Sequence, residues 1–500
     1  MTNFKGNILV VGCGGVSQCA IPLLLKLIDC PPNHITIMDP VDNRARVKGA
    51  LDRGVRYVQE RITRDNYKTI VPKYLKSGDV MLDLAYDIDT VAILDYCHQN
   101  GIHYLNTSVE LWEPYHGADA KHPTELTLYA RQMNIRRLVA SWKEPGATAV
   151  VDHGANPGLV SHFTKQALID IAGKILKEKP KDPRRAELEI ALRDRAFNKL
   201  ALLEGVKTIH ISERDTQITD KPKEENEFVN TWSIIGFIEE GIAPSELGWG
   251  THERWIPKGA MGHKIGPRNQ ICLPQKGMKT WARSWVPCGE ITGMVIRHGE
   301  AFSISDSLTV WDGNTAVYRP TVHYVYCPCD SAVNSMHELE MRQLKPQERL
   351  RILSDDIIKG RDELGCLLMG HDFKSWWIGS LLDIEEARRL VPHQNATTLQ
   401  VAISAVAAVS WMINHPNKGF CLPDQLDHEE ILKICMPYLG PVVSKDVNWS
   451  PLMQSNLYRD YNTKPPRPED EWQFQSFVVT PLSFEPAPAD CVDEKKRIPL

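Results

Sequence analysis

A short apolar run, Asn7-Ile8-Leu9-Val10-Val11, breaks into Gly12-Cys13-Gly14-Gly15-Val16-Ser17 and then into the helix-forming stretch 17–28. No other feature limits the fold as much. The turn fits G-x-G-x-x-[GAS], with Ser17 in the position of the third glycine. In this pattern the first glycine makes the tight turn. The second lets backbone N–H groups approach a pyrophosphate, and the third position stays small so that helix and strand pack closely. The helix start supplies the positive end that a diphosphate needs. Residues 34–38 read as a second strand, which runs into Asp39. An acid there binds adenosine ribose hydroxyls and repels the extra phosphate of NADP. Arg44 and Arg46 lie close by and read as solvated charges, or as a softening of that preference. The expected cofactor is NAD, held by Gly12, Gly14, Gly15, Val16, Ser17 and Asp39.

The alternation of strand and helix continues, with strands at 80–85, 103–106 and 147–151. That rhythm predicts an α/β fold, a Rossmann-type doubly wound parallel sheet over residues 1–153. The next region differs. Residues 207–211, 228–236, 291–297 and 301–310 read as strands, with few helices between them after about residue 205. This predicts an α+β catalytic and dimerisation domain over 154–379, on an open mixed sheet with mostly antiparallel neighbours. Helices return at 380–391 and 396–413. The second is apolar on too many faces for a surface, so it is expected to be buried. Residues from about 380 to 450 are expected to pack back on the first domain and complete it. From 462 to 500 proline and charge dominate, which predicts a lightly ordered tail.

Composition excludes several functions. The 500 residues carry a net charge of −5, with no basic stripe for nucleic acid. The 12 cysteines include no CxxC pair, and Cys327-Pro328-Cys329 has a poor spacing for zinc, so no metal is expected. HExxH, GxSxG and P-loop patterns are absent. The longest uncharged apolar stretch, about 401–413, is shorter than the ~20 residues a bilayer requires. No apolar leader opens the chain, so a cytoplasmic protein without a membrane partner is expected.

Three segments place polar groups where a plain core would not. Asn156-Pro157-Gly158 follows an apolar strand, where open α/β sheets put ligands, although all three residues also form ordinary turns. Residues 210–217 gather Glu213, Arg214 and Asp215 at a strand end, which also reads as a local salt bridge. Residues 227–241 alternate like a strand, with Trp232 inside and Glu239-Glu240 at the end. Taken alone, Trp232 reads as core. A tryptophan beside carboxylates is also what holds an alkylammonium group. Trp249, Trp255, Trp281 and Trp285, in one loop-rich stretch, lend this modest support. His298, at a strand end, can carry a proton near neutral pH.

These segments belong to a longer series: 37–46, 62–68, GANPGLVSHFTKQAL (154–168), IHISERDTQ (209–217), FVNTWSIIGFIEEG (228–241), ELGWGTHERW (246–255), 316–333, DELGCLLMGHD (362–372) and PHQNATTLQV (392–401). As a collinear set they resemble the bacterial homospermidine synthases, relatives of the saccharopine and carboxynorspermidine dehydrogenases. The resemblance runs to about residue 450. It implies a redox-neutral transfer of an aminobutyl group from putrescine or spermidine to putrescine through imines. NAD takes up a hydride and returns it within each cycle. It further implies that Asn156, Glu213, Trp232, Glu240 and His298 form the catalytic site, with Asn156 also near the cofactor. Asp87 and Glu110 would stand near the substrate entrance. Diamines and polyamines would be the small-molecule partners of a homodimer. A net dehydrogenase of substrates with carboxylates would instead need clamping arginines. A non-catalytic NAD-binding protein would not need the acids and Trp232 at all.

Overall fold

The computed structural model describes residues 1–114, 120–453, 467–487 and 496–499. Its first layer is a seven-stranded parallel sheet in the order Phe420–Cys421, Ala149–Val150, His103–Asn106, Val80–Asp83, Ile8–Val11, Ile35–Asp39, Arg56–Gln59. Residues 8–11 are buried on both faces, as an interior parallel strand must be. Ile8 and Val10 point into one core, which includes helix Gly15–Leu27. Leu9 and Val11 point into another, which includes helix Thr90–Gln99. The strand order reverses between Ile8–Val11 and Val80–Asp83. The glycine turn sits there, at the carboxyl end of the strands, where such sheets bind ligands.

Helix Ala396–Asn414 packs against Gly15–Leu27, and strand Phe420–Cys421 adds the edge beside Ala149–Val150. By length and composition this helix could cross a bilayer, which the apolar stretch 401–413 alone did not suggest. Uncharged Thr and Gln residues lengthen it, and almost all of it is buried inside the protein.

The second layer is a ten-stranded mixed sheet. Its central order is Pro244–Gly248, Thr321–Cys327, Thr208–Asp215, Arg361–His371, Lys374–Asp383, Val442–Val447. Thr321–Cys327 runs parallel to Thr208–Asp215, and the other neighbours along this path are antiparallel. The hairpin Trp281–Val286/Gly289–Met294 attaches to Thr321–Cys327. Helix Leu159–Glu178 packs on this sheet.

Four sequence expectations need correction. The strand expected at 228–236 stops at Asn230, and Ile234–Ile242 is a helix. Ser233 caps it by accepting from the Gly236 N–H. Its buried residues, Ile234, Phe237 and Gly241, follow helical rather than alternating spacing. The strand expected at 301–310 is helix Gly299–Ser307, and only Val310–Asp312 is extended. The segment 380–391 begins as the end of strand Lys374–Asp383 before Asp383 caps helix Ile384–Leu390. The described part of the tail is anchored: Phe474 and Phe477 are fully buried, and Phe484–Pro486 pairs with Trp255–Pro257. Two aromatic side chains outweigh the surrounding proline and charge. The remainder of 462–500 lies outside the described residues apart from 496–499.

Candidate active site

Gly12 has φ +90°, and a Cβ there would meet the Leu84 carbonyl oxygen at 2.9 Å. Only glycine suits that turn. A Cβ on Gly14, by contrast, would point into open space. Gly14 starts helix Gly15–Leu27 with no side-chain cap and no acid in the first turn. The first N–H groups are therefore free to face a diphosphate. Ser17 is buried, and its hydroxyl has no partner, so its role is to be small. Asp39 accepts from the Cys13 N–H at 2.6 Å and from the Val41 N–H at 2.7 Å, which fixes its carboxylate beside the turn. Arg44 pairs with Asp42 at 2.8 Å and covers the Tyr57 ring. These residues suit NAD, and the fixed charge of Asp39 disfavours a 2′-phosphate.

Acids and aromatics cluster where the turn after Ala149–Val150 meets the mixed sheet. Glu213, on Thr208–Asp215, accepts from Asn156 Nδ2 at 3.0 Å and from the Tyr324 hydroxyl. Asn156 reaches it from a turn closed by Gly158, where φ is +126° and a Cβ would collide with the Gly154 backbone. Burial pushes the Glu213 carboxyl upward, partly offset by the Tyr324 hydrogen bond. Trp232 lies in the turn before helix Ile234–Ile242, not in a strand, and is half-buried. Its Nε1–H donates to the Tyr326 hydroxyl at 2.9 Å, and Phe237 packs at 5.5 Å between ring centroids.

Glu240, on the same helix, faces His298 Nε2 at 3.1 Å, and Glu300 faces His298 Nδ1 at the same distance. Burial alone would lower the imidazole, but Glu300 and Glu240 hold its pKa well above the usual range. His298 thus sits between two carboxyl groups that favour its protonated form. His298 and Tyr324 also touch, with ring centroids 4.4 Å apart.

The structure brings Asn156, Glu213, Trp232, Glu240 and His298 together. Asp87 and Glu110 stand at the margin, on the side of the parallel sheet, and both feel the charge of Glu239. Glu239 is bound by Arg131 at 2.7 Å and Arg297 at 2.5 Å. These two buried arginines are therefore already occupied. Trp249 and Trp285 pack in a core that includes Phe474 and Phe477, so two tryptophans counted toward the site belong to packing instead.

Several members escaped sequence reasoning. Asp152 is buried with its carboxyl pushed up to about 7, by burial first and then by Glu300; Gln132 donates to it at 2.8 Å. Asp362 pairs in register with Asp215 on the adjacent strand, and its carboxyl contacts Glu213. Glu300, Tyr324 and Tyr326 complete the set. The one available signal was HYVYC (323–327), where polar aromatics alternate along a strand.

Residues 8–150 match the saccharopine dehydrogenase NADP binding domain, and residues 154–447 the saccharopine dehydrogenase C-terminal domain. The homospermidine synthase of Blastochloris viridis is 39% identical, covering 95% of this chain and 97% of that protein. The homospermidine synthase of Mesorhizobium japonicum is 37% identical, covering 95% and 96%. The crystal structure of the Legionella pneumophila homospermidine synthase in complex with NAD matches with a TM-score of 0.82 at 35% identity, covering 95% of this chain and 98% of that one. Apo saccharopine dehydrogenase (L-Glu forming) from Saccharomyces cerevisiae, at 12% identity and a TM-score of 0.52, covers 89% of this chain and 100% of its own; it shares the fold alone.

Proposed function

The chain belongs to the saccharopine dehydrogenase family, among its homospermidine synthases, and from that premise we propose that it transfers an aminobutyl group from putrescine, or spermidine, to putrescine. With putrescine as donor, two molecules give one homospermidine and one ammonia. NAD, held by Gly12, Gly14, Gly15, Val16, Ser17 and Asp39, supplies a reversible hydride acceptor.

The observation that carries this reading is the meeting of carboxyl groups and an indole, with the nearby arginines already paired. Glu213 and Trp232 are held by the stacked pair Tyr324 and Tyr326, Glu240 and Glu300 flank His298 against Tyr324, and Arg131 and Arg297 are bound to Glu239. That set welcomes a diamine and gives no free guanidinium to a substrate carboxylate, against the net-dehydrogenase reading. Trp232 presents its ring to an ammonium or iminium. Glu213, lifted toward neutrality by burial, exchanges protons with the reacting amine, which must be neutral before its carbon is oxidised. Asn156 and Tyr324 orient that carboxyl. Glu240, steadied by His298, receives the far ammonium. Asp87 and Glu110 attract the cation at the entrance. The protein acts as a cytoplasmic homodimer joined through the larger sheet's domain.

The test is a product assay with putrescine and catalytic NAD. Homospermidine and ammonia in equal amounts, without accumulating NADH, is the expected result. Stoichiometric NADH without homospermidine would overturn the reading.

A further inference from the structure

Tyr324 and Tyr326 occupy alternate positions on strand Thr321–Cys327, so both side chains leave the same face. Both are buried. Their rings stack, with centroids 5.3 Å apart and planes 15° from parallel. Each hydroxyl holds a different substrate-site group. Tyr324 donates to Glu213, and Tyr326 accepts from Trp232 Nε1 at 2.9 Å. Phe237 closes on the same cluster, 5.6 Å from Tyr326 and 5.5 Å from Trp232. Glu213 lies on the neighbouring strand directly opposite Tyr326.

The geometry points to Tyr324 and Tyr326 as a ruler: one rigid strand sets the separation between the carboxyl that meets the reacting amine and the indole that meets the charged one, and so selects the length of the diamine. Both are positioning residues. An indole on a flexible turn would follow the substrate. An indole anchored to a stacked tyrosine cannot, so a diamine one methylene too long or too short loses either the ring face or the carboxyl. This rests on the aminobutyl-transfer reading, because it places Glu213 at the reacting amine and Trp232, together with Glu240, at the charged one.

The experiment compares 1,3-diaminopropane, 1,4-diaminobutane and 1,5-diaminopentane with the NAD-loaded enzyme, by steady-state kinetics and by calorimetric binding to the NADH-loaded form. Wild type should prefer the four-carbon diamine. Tyr326→Phe keeps the ring and its stacking but removes the anchor. It should leave kcat near wild type, raise KM for 1,4-diaminobutane, and lower the four-carbon preference about fivefold, the scale of one hydrogen bond. Trp232→Phe removes the same bond from the other side. The double variant should lose no more selectivity than the larger single loss, a coupling that general loosening would not produce. Tyr324→Phe should move the rising limb of the pH–rate profile to higher pH, because Glu213 loses the donor that lowers its pKa. Unchanged selectivity in Tyr326→Phe, or fully additive losses, would overturn the ruler while leaving the transfer reaction intact. A wild type indifferent to diamine length overturns it too. Failure to form homospermidine removes the functional reading itself.

Discussion

Asp39 is held by two backbone N–H groups, one from the glycine turn itself, so its charge and the shape of the turn are a single device. Asp39→Ser should weaken NAD binding about tenfold or more and narrow the gap to NADP, measured by titrating each cofactor; the scale is that of hydrogen bonds to a charged group. At Trp232, Trp232→Ala should cost roughly 1–2 kcal/mol of diamine affinity, about five- to thirtyfold, by losing the cation–π face. Calorimetry on the NADH-loaded form reads it. Glu213→Gln should lower kcat by about 10²–10⁴, as expected for a lost proton carrier, with a smaller change in affinity. These residues were legible because their types are rare together: an acid after a second strand, and a tryptophan among acids. Asp152, Glu300 and Asp362 were not, since a single carboxylate in an apolar strand or helix carries no mark of the neighbours it will meet.

At the level of elements, Glu253 ties the C-terminal segment to strand Thr321–Cys327. Glu253 is buried and accepts from the Phe474 N–H and the Thr321 hydroxyl; burial pushes it up to about 8. Its folded pKa lies above the unfolded value. Stability is therefore full below about pH 4.5 and falls as pH rises toward 8, by at most about 1.4 kcal/mol per pH unit. Glu253→Gln should flatten that decline, seen as a smaller drop in melting temperature between pH 6 and 8.5. Phe474→Ala should cost about 3–5 kcal/mol by emptying a core position. The KM for putrescine should not move, because the segment packs away from the pocket. Sequence reasoning missed this segment because its anchors are two phenylalanines scattered among prolines. It also misread 234–242, where a capping Ser233 and a helical burial period overrode strand-like composition, and 299–307, a helix buried at seven consecutive residues and so without a periodic mark.

Across the whole molecule, the parallel sheet carries the cofactor turn, the mixed sheet carries Glu213 and the tyrosines, and His298 begins a helix beside them. A homodimer is the expected species, with a mass near twice 56.6 kDa by light scattering. A monomer of unchanged activity would set that assembly aside. What the sequence by itself determined is the cofactor half: Gly12 to Ser17 and Asp39 lie within one strand–turn–helix–strand unit, where backbone geometry is local and each residue type has one use. What only the tertiary structure decided is the chemistry of the other half. There Asn156, Glu213, Trp232, His298, Tyr324 and Asp362 come from six separate stretches of chain. Their meeting depends on strand register and on which face each side chain leaves. Long-range packing sets both, and no local pattern records them.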